Sequence, residues 1–199
     1  NIYDELINHL FNLIFSMVYD ESSTEISVPA FFSLQNYSIK CVLDFLISCI
    51  KNTDFTEFPE ILDNFINIAL DVASMELQTE KIGNDIDLSL YDQYHIVLEP
   101  NDEKFIVVPV DQISRTQSAL TLLYHIFNNY PQKIPIFIEK LVLLSCNLLY
   151  SLSILKIEEV MIFVYELEML FVQYIPDQKI FEDLLLSNLK SSGVDPQFH

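Results

Sequence analysis

Only 2 of the 199 residues are glycine, tryptophan is absent, and arginine occurs once, at Arg115. Each shortage excludes something. Loops that cradle a phosphate need glycine so that backbone N–H groups can approach the ligand. Gly83 and Gly193 stand alone, so neither common nucleotide-binding loop is written here, and the serine-hydrolase elbow fails for the same reason. Few glycines also mean few positions that take φ > 0, which favours helices joined by Pro, Asn and Ser loops. Basic residues are scarce too: 10 against 29 acidic ones, for a net charge of −19. A nucleic-acid binder needs a basic footprint, and this chain would repel DNA, RNA and anionic membrane surfaces. The charge keeps a very apolar protein soluble, and it suits partners with Lys/Arg-rich segments.

Three cysteines, Cys41, Cys49 and Cys146, form no framework. The first two share one expected helix and lie about 12 Å apart by helical rise, beyond disulfide reach. Reduced, buried thiols fit an intracellular protein, nuclear or cytoplasmic. The four histidines, His9, His95, His125 and His199, are far apart and form none of the short-spaced metal motifs. Asp85, Asp87 and Asp92 look calcium-like, but Ile86, Leu88 and Leu90 alternate with the polar positions, which is a strand pattern and not an EF-hand loop. No cofactor or metal is expected.

A signal peptide is not visible, since Asp4 and Glu5 sit where positive charge is needed. The chain does not begin with Met and is expected to be a fragment of a larger protein or a processed form. The most apolar run, Leu141 to Leu155, is shorter than the ~20 residues of a membrane span, and Glu139, Lys140, Glu158 and Glu159 bracket it. It reads as a core helix.

Helical spacing dominates the remainder. Residues 2–18 carry Leu6, Leu10, Leu13, Ile14 and Met17 on one stripe. Residues 20–35 read as a loop by their Ser/Glu content and Pro29, with Phe31 and Phe32 docking on the core and Ser22 in an acidic phosphorylation context. A helix over 36–51 turns Val42, Phe45, Leu46 and Cys49 inward. The next runs from Phe58 or Glu60 to Leu77, with Pro59 in its first turn and Leu62, Phe65, Ile66, Ala69 and Val72 inside. Asp111 or Ser114 caps a helix reaching Asn128, with Leu120, Leu123, Tyr124 and Phe127 inward. The helix from Pro135 is apolar almost all round and is expected to be the most buried element. A break falls at 153–157, because an unbroken helix to Tyr174 would be about 60 Å long. Leu144 and Phe163 on either side of it belong to the core. Asp177 caps a last helix ending near Ser191.

One stretch breaks the pattern. From Ile86 to Leu98 the even positions are apolar except Asp92, a period of two that marks a strand. Glu99 to Asp102 is a type I turn signal, Phe105 to Val108 is the return strand, and Pro109 confines its end to an edge. Ile96 and Leu98 are expected to be buried against the neighbouring helices; Val97 lies on the opposite face, and the sequence does not fix the facing of Val107. The hairpin is either a structural cap or a free edge for partner pairing.

The expected fold is all-α: paired antiparallel helices forming an α-solenoid of armadillo or HEAT character or a compact bundle, one domain over 1–199. A loop and hairpin insertion occupies 79–111, the hairpin itself lying near 86–110. Carboxylates one or two apart on a helix, such as Glu158 with Glu159 or Glu166 with Glu168, diverge and cannot face one substrate. The expected function is therefore a non-enzymatic protein-interaction or scaffold module of a larger regulatory assembly. Its partners are other proteins, with no direct nucleic-acid or membrane contact. The candidate contact residues are His95, Val97 and Val107 on the hairpin and Glu158, Glu159, Glu166 and Glu168 on the ridge. The competing reading is an adaptor that holds Lys/Arg-rich segments in an acidic groove; a hydrolase with an unrecognised site is least supported.

Overall fold

The computed structural model describes residues 29–83, 87, 91–98 and 104–175. The expected helices over 2–18 and 177–191, Ser22, Asp85, Ile86, Leu88, Leu90, the 99–102 turn and the side chains of Phe31 and Phe32 lie outside the described residues. The chain is mostly helical with a small antiparallel sheet. Its elements are α1 (Pro29–Asn52), α2 (Pro59–Ala73), β1 (Glu80–Ile82), β2 (Tyr94–Leu98), β3 (Phe105–Pro109), α3 (Val110–Asn129), α4 (Ile134–Ile154) and α5 (Glu158–Phe171), with 3-10 turns at Pro131–Lys133 and Val172–Tyr174.

Residues 29–35 are helical rather than a loop. Pro29 opens α1, a position where its missing N–H leaves no helical bond unmade. The inward stripe of α1 also differs from expectation. Ile39, Leu43, Leu46, Ile47 and Ile50 are buried, Val42 and Cys49 are half-buried, and Phe45 is exposed. Helix α2 turns all five expected residues inward but ends at Ala73, four residues short of Leu77. Neither Asp111 nor Ser114 caps α3; Pro109 holds that position without a side-chain bond, and Asp111 Oδ1 accepts the Gln112 N–H from inside the first turn.

Helices α1, α2 and α5 all pack against α3, while α4 packs mainly on α5 and more lightly on α2. The most buried helix is consequently α3 and not α4. Eleven of twenty α3 residues are buried, against eight of twenty-one in α4. Burial follows position in the stack, not apolar content. Pro131–Ile154 is the one described helical stretch long and apolar enough to cross a membrane. Here its inward face supplies Leu141, Leu144, Leu148 and Leu152 to the core, while Ile136, Leu143, Tyr150 and Ile154 face out. Leu144 is buried as expected; Phe163 is half-buried against the core.

The break between α4 and α5 has a definite cause. The Ile157 N–H donates to Leu152 O at 3.0 Å and the Lys156 N–H to Ser153 O at 3.2 Å. These two bonds are the Schellman closure, and the apolar contact that accompanies it is available from Leu152 and Ile157, both fully buried. Lys156 takes the left-handed position, with φ 53°, which an L-residue with a Cβ occupies at a cost of about 1 kcal/mol or more. With glycine so rare, the turn is closed by burial of its flanks.

The expected hairpin is a three-stranded sheet in the order β1-β3-β2. Strand β3 pairs antiparallel with β2 from Tyr94↔Pro109 to Leu98↔Phe105, and with β1 from Glu80↔Val107 to Ile82↔Phe105. The Val110 N–H donates to Gln93 O at 3.0 Å. That bond fixes the parity: His95 and Val97 exchange bonds with Val108 and Ile106, and the N–H side of Val107 and Phe105 turns to β1. Pro109 therefore lacks its N–H where β1 has already ended.

The facing of β2 is the reverse of the expectation. Leu98 is 54% exposed, Ile96 is half-buried and Val97 is buried. The odd-numbered side meets the helices: Val108 and Ile106 join the core cluster, and the His95 ring reaches Leu155 O.

Replacing Lys156 by Gly relieves the left-handed strain without touching a contact, so urea unfolding should show a gain of about 1 kcal/mol. A loss of stability would mean that the Lys156 side chain holds the turn in another way.

Candidate functional site

Arg115 is only 3% exposed on α3. Its Nη1 donates to Asn36 Oδ1 on α1 at 2.6 Å, and its Nη2 reaches Met75 O at 3.4 Å beyond the end of α2. Asn36 in turn donates through Nδ2 to Asp111 Oδ2 at 3.3 Å. Burial pushes the guanidinium down to about 10, partly opposed by the Asp111 charge. Its Nε has no hydrogen-bond partner. Beside it lies a cavity of about 270 Å³ lined by Gln35, Asn36, Met75, Glu76, Gln78, Gln112 and Arg115. Gln112 Oε1 accepts the Gln78 N–H at 2.8 Å, and the Ser118 hydroxyl donates to Asp44 Oδ1 at 2.8 Å. This polar seam fastens α1 and the chain after α2 to α3. It holds three helices in register, and with Glu76 and Asp111 beside the arginine it offers an added anion little net attraction.

A second cavity, about 250 Å³, opens between the 73–79 segment and α4. Met75, Leu77, Leu144, Leu148, Tyr150 and Ile154 supply its apolar wall. Two of these, Tyr150 and Ile154, are also exposed. The recess is therefore continuous with the outward apolar face of α4.

Among the described residues the histidines and thiols do not converge on a reacting centre. His95 Nε2 lies 2.9 Å from Leu155 O, which ties β2 to the end of α4. The His125 ring stands edge-on to Tyr124 with centroids 5.6 Å apart; burial, and then the nearby Lys51 charge, lower its pKa. Cys49 and Cys146 are half-buried and Cys41 is exposed, in place of the buried set expected. Burial raises the pKa of both Cys49 and Cys146, with the Glu168 charge adding to the effect at Cys146, so neither is an activated thiolate. Among the described residues no group of three His, Cys, Asp or Glu side chains could hold a metal.

The candidate contact residues fall into three places. Val107 is 0% exposed on the central strand and Val97 is buried. Their side chains therefore present nothing to a partner as the protein stands. Glu158, Glu159 and Glu166 are exposed on α5. Glu168 is drawn off the ridge, accepting a hydrogen bond from the Ser145 hydroxyl of α4, so it serves the α4–α5 joint. The sequence reading missed what lies between the glutamates. Ile162, Tyr165 and Met169 of α5, then Val172, are all exposed at spacings of three, four and three.

Arg115→Ala would leave Asn36 and Met75 O short of a donor inside the protein. Chemical unfolding should report a loss of about 3 kcal/mol with the helical content of the folded state unchanged. A loss below about 0.5 kcal/mol would mean the seam does not fasten the helices. No family model matches this chain, and no curated protein or solved structure matches it.

Proposed function

We propose that this chain is a non-enzymatic interaction module, a scaffold segment that binds other proteins through the outward faces of its last described helices. One observation carries the reading. Ile136, Leu143, Tyr150 and Ile154 on α4, and Ile162, Tyr165, Met169 and Val172 on and after α5, are large, apolar and exposed. Apolar side chains gathered at helical spacing on an outer face mark interaction surfaces. The packing supports the finer reading as a segment of an α-solenoid of armadillo or HEAT character. Helices α1, α3 and α5 pack side by side, α2 and α4 touch, and α2–α3 and α4–α5 contact one another, which is how stacked helix pairs of a solenoid meet. An intracellular place in a larger regulatory assembly accords with this surface and with the free thiols.

The acidic-groove adaptor has less support. The two recesses are walled mainly by apolar, amide and hydroxyl side chains, with Glu76 the acidic residue common to both and Arg115 a cation in one of them. The exposed glutamates of α5 stand on a helix surface, outside either recess. For the sheet, the His95 bond to Leu155 O and the buried Val108 favour a structural role over a docking edge.

The test is size-exclusion of a mild extract from cells expressing the tagged chain at native level. Wild type should elute in a complex well above its own 23.2 kDa. The double variant Leu143→Ser with Met169→Ser, which changes only exposed side chains, should elute as the free chain while melting normally. Elution of wild type as a monomer would sink the reading.

A further inference from the structure

The spacing on α5 is that of a coiled-coil seam. Ile162 and Met169 take one core position of a heptad, Tyr165 and Val172 the other, and Glu158 begins the same line. Core packing occupies the opposite side of the helix, where Val160, Val164, Leu167 and Phe171 are buried. Met169 is 74% exposed and Ile162 58%, so the seam faces away from the body. Glu159 and Glu166, seven residues apart, run along one border of it, and both are exposed. Positions of that kind choose the partner of a two-helix seam through charge. There is no Lys or Arg between Glu158 and Phe171.

We propose that the outer stripe of α5 docks an amphipathic helix whose apolar face is bordered by lysine or arginine. The proposal rests on the interaction-module reading and supplies its partner class. Charge decides among occupants. A second copy of this chain would bring another −19 and set glutamate against glutamate. A helix with basic borders places its cations against Glu159 and Glu166 and its apolar residues between Ile162, Tyr165 and Met169. The seam spans about 21 Å, two heptads, which suits a short recognition helix of modest affinity.

Three labelled peptides of two to three heptads test this by fluorescence anisotropy with the full chain at physiological salt. The first carries Leu at both core positions with Lys borders, the second carries Glu borders, and the third has the composition of the first with its apolar residues scrambled off one face. The Lys-bordered helix should saturate the protein, and the other two should bind about tenfold more weakly or not at all. Ile162→Ser with Met169→Ser should weaken the Lys-bordered peptide at least about tenfold, and Glu159→Lys with Glu166→Lys should move the preference to the Glu-bordered peptide. Equal binding of the scrambled peptide would reduce the effect to charge attraction and overturn the seam. Equal binding of the Glu-bordered helix would overturn the charge assignment while leaving the module reading standing. The proposal also fails if the Ser variant melts several degrees lower, since the stripe would then be covered within the chain. It fails equally if wild type dimerises through this stripe or if neutral phosphatidylcholine vesicles take its place. Failure of the module reading shows separately, in the elution of wild type from extract as a monomer.

Discussion

Everything in this fold depends on a helix that is not especially apolar finding partners for its polar groups out of water. Helix α3 runs through the middle of the stack with Gln112, Arg115, Thr116 and Ser118 buried among its leucines. A buried guanidinium is costly unless its donors are used. Asn36 Oδ1 and Met75 O use Nη1 and Nη2, while Nε stays without a partner, and Asp111 steadies Asn36. Because those acceptors lie on α1 and beyond α2, satisfying one side chain fixes the relative position of three segments. The same logic recurs at the far end of α3. The Tyr130 hydroxyl accepts the Phe55 N–H at 2.7 Å, and Lys133 Nζ reaches Asp63 at 2.5 Å and Pro59 O at 3.2 Å. Polar bonds set the register of α3, and the apolar residues Leu120, Leu122, Leu123 and Phe127 supply most of the driving force around it.

With α3 placed, the outer helices have only one face to spend on the core. Helix α4 is apolar on nearly all sides and α5 on all but its glutamate border, yet each buries one apolar stripe and shows another. The Ser145–Glu168 bond and the closure at Lys156 lock the two to each other. The outward apolar stripes are thereby held rigid, which reduces the ordering cost of a partner that binds them.

The sequence was legible where a helix has a single apolar face. Helix α2 is such a case, and all five of its expected inward residues are inward. It misled where apolar residues serve two faces. Apolar content pointed to α4 as the centre, but nothing in the content of α4 says which half of it meets solvent. The sheet failed for a related reason. Ile96, Leu98 and Val107 lie on one side and Val97, Ile106 and Val108 on the other, so period-two counting marked the strand without its facing. Strand β1, with Glu80 and Lys81 in three residues, carries no alternation to detect. The α4–α5 break was found from helix length alone; a lysine in the left-handed position gives no signal. Of the candidate site, the glutamates were visible as charges, while the stripe of Ile162, Tyr165 and Met169 between them was not singled out, because apolar residues on a helix with two apolar faces do not show which of them meets solvent.

Native-state hydrogen exchange tests the central claim, that α3 organises the stack, with α5 packed on it, α4 packed on α5, and the outer faces of both open. Amides of α3 from Arg115 to Phe127 should be the slowest in the protein and should exchange only with global unfolding, while those of α5 open at lower free energy. Slowest exchange in α4, with α3 opening locally, would contradict the account.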